Sequence, residues 1–353
     1  MRRRLIGAVS LAVIASTTLA ACGGSSGSNE AGGGGGNGSS GGSADPSSMD
    51  FVNVVKLTSS AWFSNMERGV KKFAQDTGVN ASQTGPSQAT AEGQVSIVQN
   101  LIPKQPTAIG VDPNSQEALE GVLARAQQAG IYVFAQEAPQ LEHADLDLEA
   151  FSNAKYGKEM MDTVGQCMGG SGKYVTFVGH LTAASHMAWA QAELDEAKAK
   201  FPGITRVTGP VVANEDSNVA YQKTKELLAK YPDLKGFIGS AATDVPGIAK
   251  AVKELGLSGK VCIAGTSVPS LSKQYVMDGT VQAVFLWDAS LTAQAVMNGA
   301  LMDIQGKEVG PGTDLGVDGY HNIQKCEGDA TDHCYQGDAI LKLTKENIGN
   351  YNF

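Results

Sequence analysis

Short apolar runs alternate with longer segments of helical periodicity, and this alternation restricts the possible folds more than any other feature. Runs of strand length occur at residues 52–57, 81–84, 108–111, 131–135, 174–178, 205–212, 236–239, 261–265, 281–286 and 339–343. Helical segments occur at residues 66–77, 91–103, 115–129, 188–200, 219–230, 245–254, 270–278 and 291–304. Strands that alternate with helices of this length form βαβ units and a parallel sheet. Because the rhythm begins again at residue 174, the sequence predicts an α/β fold of two doubly wound parallel-sheet lobes joined by a hinge.

Composition supports two lobes and argues against some partners. The chain has 353 residues, of which 42% are hydrophobic and 18% are charged, so there is enough apolar material for two packed cores. The formal net charge is -9, and no run of lysine or arginine follows residue 4, which argues against nucleic acid and against polyanionic ligands. We expect a monomer without a cofactor or a metal site.

The N-terminus has the layout of an export signal. Three arginines at positions 2–4 precede an apolar run over residues 5–15 that is too short to span a bilayer. Residues 19–22, Leu-Ala-Ala-Cys, resemble the lipobox of bacterial lipoproteins. The resemblance implies that residues 1–21 are a signal peptide and that Cys22 becomes the lipid-bearing N-terminus. The alternative is a chance cysteine in an ordinary signal peptide.

Residues 22–50 are predicted to be a disordered tether. Nearly every residue from 23 to 48 is glycine, serine or another small or polar type, and such a segment buries too little apolar surface to offset its ordering entropy. A flexible coil of this length reaches about 30 Å. We therefore expect an extracytoplasmic protein, lipid-anchored to the outer face of the cell membrane. The expected lobes are residues 51–150 with about 290–322, and residues 151–289 with about 323–353.

Four cysteines remain after Cys22, and they would meet an oxidising exterior. Cys326 and Cys334 flank a polar, loop-like segment, so we expect a disulfide between them. Zinc is the alternative, although the spacing of these cysteines and the two nearby histidines matches no common zinc pattern. Cys167 and Cys262 lie in apolar contexts and are expected to be buried as small hydrophobic residues.

Ligands of open parallel sheets bind beyond the carboxyl ends of the strands. The residues at these positions combine aromatic rings, neutral and acidic hydrogen-bonding groups and a single cation, which suits sugars and polyols. Glu137 and Asp288 are predicted acceptors for adjacent hydroxyls, and Lys56 is a predicted donor. The candidate ligand-binding residues from this reasoning are Lys56, Trp62, Phe63, Asp112, Gln136, Glu137, His186, Trp189, Asp244, Trp287 and Asp288.

Several of these candidates have a structural alternative. Trp62 and Phe63 could cover the edge of a core, and Trp189 could equally pack inside one. His186 is expected to be a polar rim residue, because nothing beside it in sequence suggests a catalytic partner. The residues that could instead cap a following helix are Asp112 and Asp244.

Short sequence motifs spread over the folded body resemble those of a known family. They are Lys56-Leu57, Gly85-Pro86, Gly93-Gln94-Val95, residues 197–200, Tyr231-Pro232-Asp233-Leu234, Gly279-Thr280-Val281, Leu286-Trp287-Asp288, and Asn347-Ile348 with Tyr351 and Phe353. In these phrases the chain resembles the sugar-binding periplasmic proteins of ABC importers, and most closely their rhamnose and autoinducer-2-binding branch. The resemblance implies a type I periplasmic binding protein with the ribose-binding type of fold.

The resemblance carries over to the ligand residues only in part. Lys56 stands where that branch has a ligand-binding lysine, and Glu137 stands where it has an aspartate. Its Asp-Gln pair falls near Ser185 and His186, and its Pro-x-Ala contact keeps only the alanine, as Ala242. Because half of these residues differ, a small monosaccharide or polyol is favoured over autoinducer-2.

The expected function is that of a solute-binding lipoprotein of an ABC importer, whose closure around a sugar or polyol is recognised by a membrane permease. Chain crossings near Phe151, residues 265–268 and residues 287–290 are expected to form the hinge. An enzyme is not expected, because the folded body from residue 51 on contains no Gly-x-Ser-x-Gly or His-Glu-x-x-His motif. A sugar-responsive transcription regulator is disfavoured because an export leader stands where its helix-turn-helix would be. A sensor that presents autoinducer-2 or a sugar to a membrane signalling partner is the alternative.

Overall fold

The computed structural model describes residues 45–328 and 330–351. The strands in this part of the chain are β1 (Asp50–Val54), β2 (Asn80–Thr84), β3 (Ala108–Val111), β4 (Tyr132–Ala135), β5 (Leu146–Glu149), β6 (Ser171–Val178), β7 (Gly203–Arg206), β8 (Val211–Val212), β9 (Leu234–Gly239), β10 (Cys262–Thr266), β11 (Ala283–Leu286), β12 (Gln324–Lys325), β13 (Cys334–Gln336) and β14 (Leu341–Leu343). The α-helices are α1 (Ala61–Thr77), α2 (Ala91–Leu101), α3 (Gln116–Gln128), α4 (Asn153–Cys167), α5 (Ala184–Lys200), α6 (Ser217–Lys230), α7 (Asp244–Glu254), α8 (Pro269–Met277) and α9 (Ala289–Ile304). Short 3₁₀ helices occur at Pro46–Ser48, Ile102–Lys104 and Ile348–Asn350.

Two seven-stranded sheets organise these elements. The first has the strand order β12-β13-β5-β4-β3-β1-β2, and the second has the order β14-β11-β10-β9-β6-β7, with β8 also paired to β6. Only the pairings β12 with β13 and β11 with β14 are antiparallel among the described strands. We call each sheet with the helices packed on it a lobe. The predicted α/β fold of two doubly wound lobes is confirmed.

Strand β5 and helix α4, which sequence reasoning missed along with the short strands β12 and β13, lie where the first lobe ends. The side chains of β5 are all buried, although two of them are the acidic Asp147 and Glu149. Leucine alternating with acidic residues is typical of a half-exposed strand. The prediction searched for apolar runs, and this buried strand does not contain one. The helix that follows, α4, packs on β9 and β10 and so begins the second lobe.

Side-chain caps fix where several helices begin. The hydroxyl of Ser60 accepts a hydrogen bond from the N–H of Trp62 at 3.1 Å, so α1 begins five residues earlier than the predicted start at residue 66. Asp216 caps α6 in the same way, accepting from the N–H of Asn218 at 2.7 Å. The early start of α1 places Trp62 and Phe63 in a helix rather than in a loop.

Helix α9 belongs to the first lobe because it packs against α1, β4 and β5. Gly69 permits the close approach of α1 and α9, since a Cβ at this position would lie 2.0 Å from the carbonyl oxygen of Ser290. Most of the second lobe separates α1 from α9 in sequence, and this contact joins the two parts of the first lobe.

Three crossings join the lobes, at residues 150–152, 287–288 and 337–340. Two predicted crossings, near Phe151 and at residues 287–290, fall on the first two. The predicted crossing at residues 265–268 is wrong, because this segment joins β10 to α8 within the second lobe. The lobe boundary expected near residue 322 moves to residues 337–340, because β12 and β13 pair into the first sheet.

Both pairs of cysteines are disulfide-bonded. The predicted disulfide between Cys326 and Cys334 is present, with Cα atoms 5.5 Å apart. Cys167 and Cys262 were expected as buried hydrophobic residues, but they form a second disulfide, because the end of α4 lies beside the start of β10. Asp147 lies with Cys326 and Cys334 in the one potential metal cluster among the described residues, yet sulfurs in a disulfide cannot act as thiolate ligands.

The leader, Cys22 and most of the expected tether lie outside the described residues. The expected tether over residues 22–50 is too long at its C-terminal end, since Pro46–Ser48 form a 3₁₀ helix and Asp50 begins β1. Among the described residues, no helix combines the length and hydropathy needed to cross a membrane.

Candidate functional site

A cleft lies between the lobes where strands β1, β4, β9 and β10 end. The space between its walls, open solvent included, amounts to about 400 Å³. Parallel sheets bring the carboxyl ends of their strands to one edge, which explains why residues distant in sequence meet here. The lining residues are Lys56, Ser60, Trp62, Phe63, Glu137, His186, Trp189, Glu215, Ser240, Ala241, Ala242, Thr243, Thr266 and Trp287.

Among the described residues that line the cleft, Lys56 is the one lysine or arginine, and it is only 3% exposed. Its Nζ lies 2.6 Å from Oε2 of Glu137 and 3.3 Å from Oδ1 of Asp112. Burial alone would lower the pKa of Lys56, but the charges of Asp112, Glu137 and Glu215 together raise that pKa above its ordinary value. Lys56 is therefore a permanent cation, and an ammonium group has three N–H donors, of which Glu137 takes one.

Glu137 joins the two lobes across the cleft. Its Oε2 accepts hydrogen bonds from Lys56 in the first lobe and from Oγ of Ser185 in the second, at 3.0 Å. Its backbone has a φ of 52°, in the left-handed region that non-glycine residues rarely adopt. A second bond between the lobes runs from Oγ1 of Thr182 to the carbonyl oxygen of Asn114, at 3.0 Å. The lobes are thus in contact at the mouth of the cleft.

The apolar part of the wall contains all three tryptophans of the chain. The ring of Trp287 lies edge-on to Trp62, with centroids 4.5 Å apart, and to Trp189, with centroids 5.9 Å apart. The Nε1 of Trp189 donates to Oδ1 of Asn153 at 2.5 Å, which fixes the plane of its ring. The sequence left open whether these tryptophans pack in a core or line a ligand site. In the structure they do both, because the rings are buried and also form the cleft wall.

His186 lines the cleft with a ring that a hydrogen bond holds in place. Its Nδ1 accepts a hydrogen bond from the N–H of Gly179 at 3.1 Å, so the ring proton sits on Nε2. Burial, with the charge of Lys56, holds the pKa of His186 well below its usual range. The ring is neutral and buried, so its role differs from the polar rim residue expected from sequence.

Three predicted ligand residues, Asp112, Asp244 and Asp288, lie outside the cleft wall, and Gln136 lines a smaller adjoining space that shares Glu137, Trp189 and Trp287 with the cleft. Asp112 and Gln136 lie behind Lys56, where Nε2 of Gln136 donates to Oδ2 of Asp112 at 3.3 Å, and burial raises the pKa of Asp112 well above its usual range. Asp244 accepts from the N–H of Ala241 at 2.9 Å, and burial raises the pKa of Asp244 to about 8.

Asp288 corrects one prediction. Its Oδ1 accepts from the N–H of Ser290 and from Nδ2 of Asn65, both at 2.9 Å, so it caps α9 and ties that helix to α1. The expected role as an acceptor for ligand hydroxyls does not fit this position.

Sequence reasoning missed several residues of the wall. Ser60, Thr243 and Thr266 follow strand ends or precede helices, and their positions in the chain are the signal that could have identified them. Glu215 was missed because it comes three residues after the end of β8, beyond the positions expected to face a ligand.

The comparisons with known proteins agree with this architecture. A family model described as a periplasmic binding protein domain matches residues 51–308, which is most of the folded body. The chain belongs to the periplasmic binding protein family. The predicted resemblance is thereby confirmed, and the fold is that of a type I periplasmic binding protein. As a member of a family of transporter binding proteins, the chain is not an enzyme.

Individual relatives of this periplasmic binding protein are distant in sequence. The D-allose-binding periplasmic protein of Escherichia coli (strain K12) is 23% identical over 247 residues, which cover 67% of this chain and 78% of that protein. LsrB from Clostridium saccharobutylicum, solved in complex with AI-2, superposes with a TM-score of 0.80 at 20% identity, covering 86% of this chain and 100% of that chain. An ABC transporter solute-binding protein from Clostridium phytofermentas with bound L-rhamnose gives a TM-score of 0.79 at 21% identity, covering 86% and 98%. These structural matches establish the fold.

Proposed function

We propose that this protein is the solute-binding component of an ABC importer and that it binds a small neutral monosaccharide or polyol between its lobes. Ligand held by both lobes shifts the population toward the closed form, which the permease recognises. The proposal includes a lipid at Cys22 that keeps the protein beside its permease.

The observation that carries this proposal is the pairing of Lys56 and Glu137 beside three tryptophan rings. Aromatic faces and edges pack against the C–H groups of a sugar, while each hydroxyl both donates and accepts. Lys56 offers N–H donors, Glu137 offers its Oε1, and His186 offers its Nε2–H. A neutral ligand with several hydroxyls can use all three groups, whereas an apolar ligand would leave them unpaired.

The ligands of similar proteins support the proposal that this protein binds a sugar. The matched relatives bind D-allose and L-rhamnose, and a carbohydrate-transporter protein from Agrobacterium radiobacter was solved with D-arabinose at a TM-score of 0.74. These are small neutral sugars with adjacent hydroxyls. The acid excess of this cleft, with Glu137 and Glu215 against Lys56, disfavours sugar acids and phosphates.

Titration calorimetry with a panel of neutral sugars and polyols tests the proposal. The panel comprises D-allose, L-rhamnose, D-arabinose, D-ribose, erythritol and ribitol, with autoinducer-2 and D-glucuronate as contrasts. We expect one neutral member to bind tightly, with a change in tryptophan fluorescence because all three tryptophans line the cleft. D-glucuronate should give no heat. Binding of the acid in preference to every neutral member, or binding of none of them, would contradict the proposal.

A further inference from the structure

Glu215 belongs to the second lobe and lines the cleft, and its backbone has an unusual conformation. Asn214 and Glu215 have φ angles of 54° and 53°, both in the left-handed region. Asp216 then caps α6. Two consecutive non-glycine residues in this region are strained, and the hydrogen bond from the N–H of Asn214 to the carbonyl oxygen of Gly179, at 3.0 Å, helps to hold the turn in place. The turn directs the side chain of Glu215 into the cleft while its neighbour begins a helix.

The space for this side chain is provided by a glycine. A Cβ at Gly179 would lie 2.8 Å from Cγ of Glu215 and 3.1 Å from Cε1 of His186. Glu215 and the neutral ring of His186 therefore lie side by side over Gly179. A carboxylate held beside the fixed Nε2–H donor of His186 forms a polar surface with both an acceptor and a donor.

The carboxylate of Glu215 has no hydrogen-bond partner among the described residues. Its Oε1 is buried without a donor, and the same is true of the hydroxyl oxygens of Ser240 and Thr243 in the same wall. A buried oxygen without a partner destabilises the protein, and a charged oxygen does so more than a neutral one. These three atoms in one wall are available as partners for the hydroxyl groups of a ligand.

Each of the other acidic groups at the cleft has at least one hydrogen bond, although Asp112 and Asp244 each keep one oxygen without a hydrogen-bond partner among the described residues. One oxygen of Glu137 accepts from Lys56 and Ser185, and Oδ2 of Asp244 accepts from the N–H of Ala241. Asp288 caps α9 outside the wall. Glu215 is thus the lining carboxylate whose hydrogen bonds within the described chain are all unmade.

We propose that Glu215 is the specificity-determining residue of the second lobe and accepts hydrogen bonds from two adjacent hydroxyls of the bound sugar or polyol, next to Ser240 and Thr243. This inference rests on the proposed function. It names the chemistry of the recognised group, an uncharged vicinal diol. The carboxylate repels anionic ligands, and the cation of Lys56 disfavours an ammonium group at the same place.

The test combines variants with ligand analogues. Glu215→Gln keeps the shape but loses the charge, and Glu226→Gln, an exposed change in α6 of the same lobe, is the matched control. Each variant is titrated with D-allose, L-rhamnose, D-arabinose, D-ribose, erythritol and ribitol, and the tightest binder is then compared with its monodeoxy analogues. We expect Glu215→Gln to raise Kd about tenfold to a hundredfold, because a hydrogen bond to a charged group is lost.

The analogues separate recognition from a structural role. For wild type, removing one of the two contacted hydroxyls should weaken binding about tenfold, and for Glu215→Gln the same removal should matter less than about threefold. Glu215→Asp should recover part of the affinity, and unchanged thermal unfolding without sugar shows that each variant folds. If wild type binds a panel member and Glu215→Gln binds it as tightly as Glu226→Gln does, this inference is overturned and the proposed function stands. If wild type binds no panel member, the proposed function fails first.

Discussion

Individual residues in this protein take their roles from the backbone that holds them. Lys56 and Glu137 were predicted at strand ends, and the structure places them 2.6 Å apart in the cleft. Asp288 has the same chemistry as Glu137, but a helix begins directly after it, so its carboxylate caps that helix. Glu215 was not a candidate because its orientation depends on two left-handed φ angles, which local sequence preference does not favour.

Asp244 gives a prediction about pH. Its pKa is about 8 in the folded state, raised chiefly by burial, against an ordinary value of 3.8. Between pH 4 and 8 the folded state therefore keeps a proton that the unfolded chain has lost, and the free energy of unfolding falls as pH rises, by up to about 1.4 kcal/mol per unit. Asp244→Asn should remove this part of the pH dependence.

Urea unfolding at pH 4.5, 6 and 7.5 measures the effect. Buried Glu149 and Glu193, with pKa values raised by burial to about 7 and about 8, keep a slope of the same sign in the variant. The exposed change Glu308→Gln is the control and should keep the full wild-type slope. Equal slopes for Asp244→Asn and wild type would show that Asp244 does not hold its proton in the folded state.

At the scale of elements, apolar periodicity predicted the strands and helices that have it. The buried strand β3 is apolar throughout and was predicted with its observed ends. Strand β5 was missed because its buried Asp147 and Glu149 break the apolar pattern. The disulfide between Cys167 and Cys262 was missed because it joins the ends of α4 and β10, which only the packing of α4 on the second sheet brings together.

The two disulfides should differ in what they contribute to stability. The sequence separation is 95 residues for Cys167–Cys262 and 8 for Cys326–Cys334. In the chain-entropy description, closing loops of these lengths stabilises the folded state by about 4.7 and about 2.5 kcal/mol. We expect the double change Cys167→Ser with Cys262→Ser to cost about 2 kcal/mol more than Cys326→Ser with Cys334→Ser.

Urea unfolding of the two double variants, each without the free thiol that a single change would leave, gives the comparison. Reduced wild type should lose at least as much stability as the less stable variant. A larger loss from the short-loop pair would mean that packing around Cys334 and Asp147, rather than loop length, decides the contribution.

At the scale of the whole molecule, three crossings connect two lobes whose cleft is lined from both sides. The hinge segments near Phe151 and Trp287 were predicted, and their rings lie edge-on with centroids 5.0 Å apart. The third crossing, at residues 337–340, escaped prediction because short strands β12 and β13 return to the first sheet before β14 joins the second. The bonds from Ser185 to Glu137 and from Thr182 to Asn114 hold the lobes together.

The predicted lipid on Cys22 would attach the whole molecule to the membrane. Thioether attachment of lipid needs the thiol of Cys22, so Cys22→Ser should move the protein from the membrane fraction into the medium. The cleft lies in the folded body, which the change leaves intact, so the released protein should bind its sugar as wild type does. Immunoblots of membrane and medium fractions, with the neighbouring change Ser25→Ala as control, measure this. A Cys22→Ser protein that stayed in the membrane fraction would contradict lipid attachment at this residue.

The sequence by itself determined the α/β class, the two successive lobes and the strand-end positions of Lys56 and Glu137, because hydrophobic periodicity and strand order are local properties of the chain. Tertiary structure decided which acidic group faces the cleft, which cysteines pair and where the chain crosses for the third time. These depend on distances between residues far apart in sequence. Three carboxyl groups therefore have three roles: Asp288 caps a helix, buried Asp244 keeps its proton, and Glu215 has no hydrogen-bond partner among the described residues of the cleft wall.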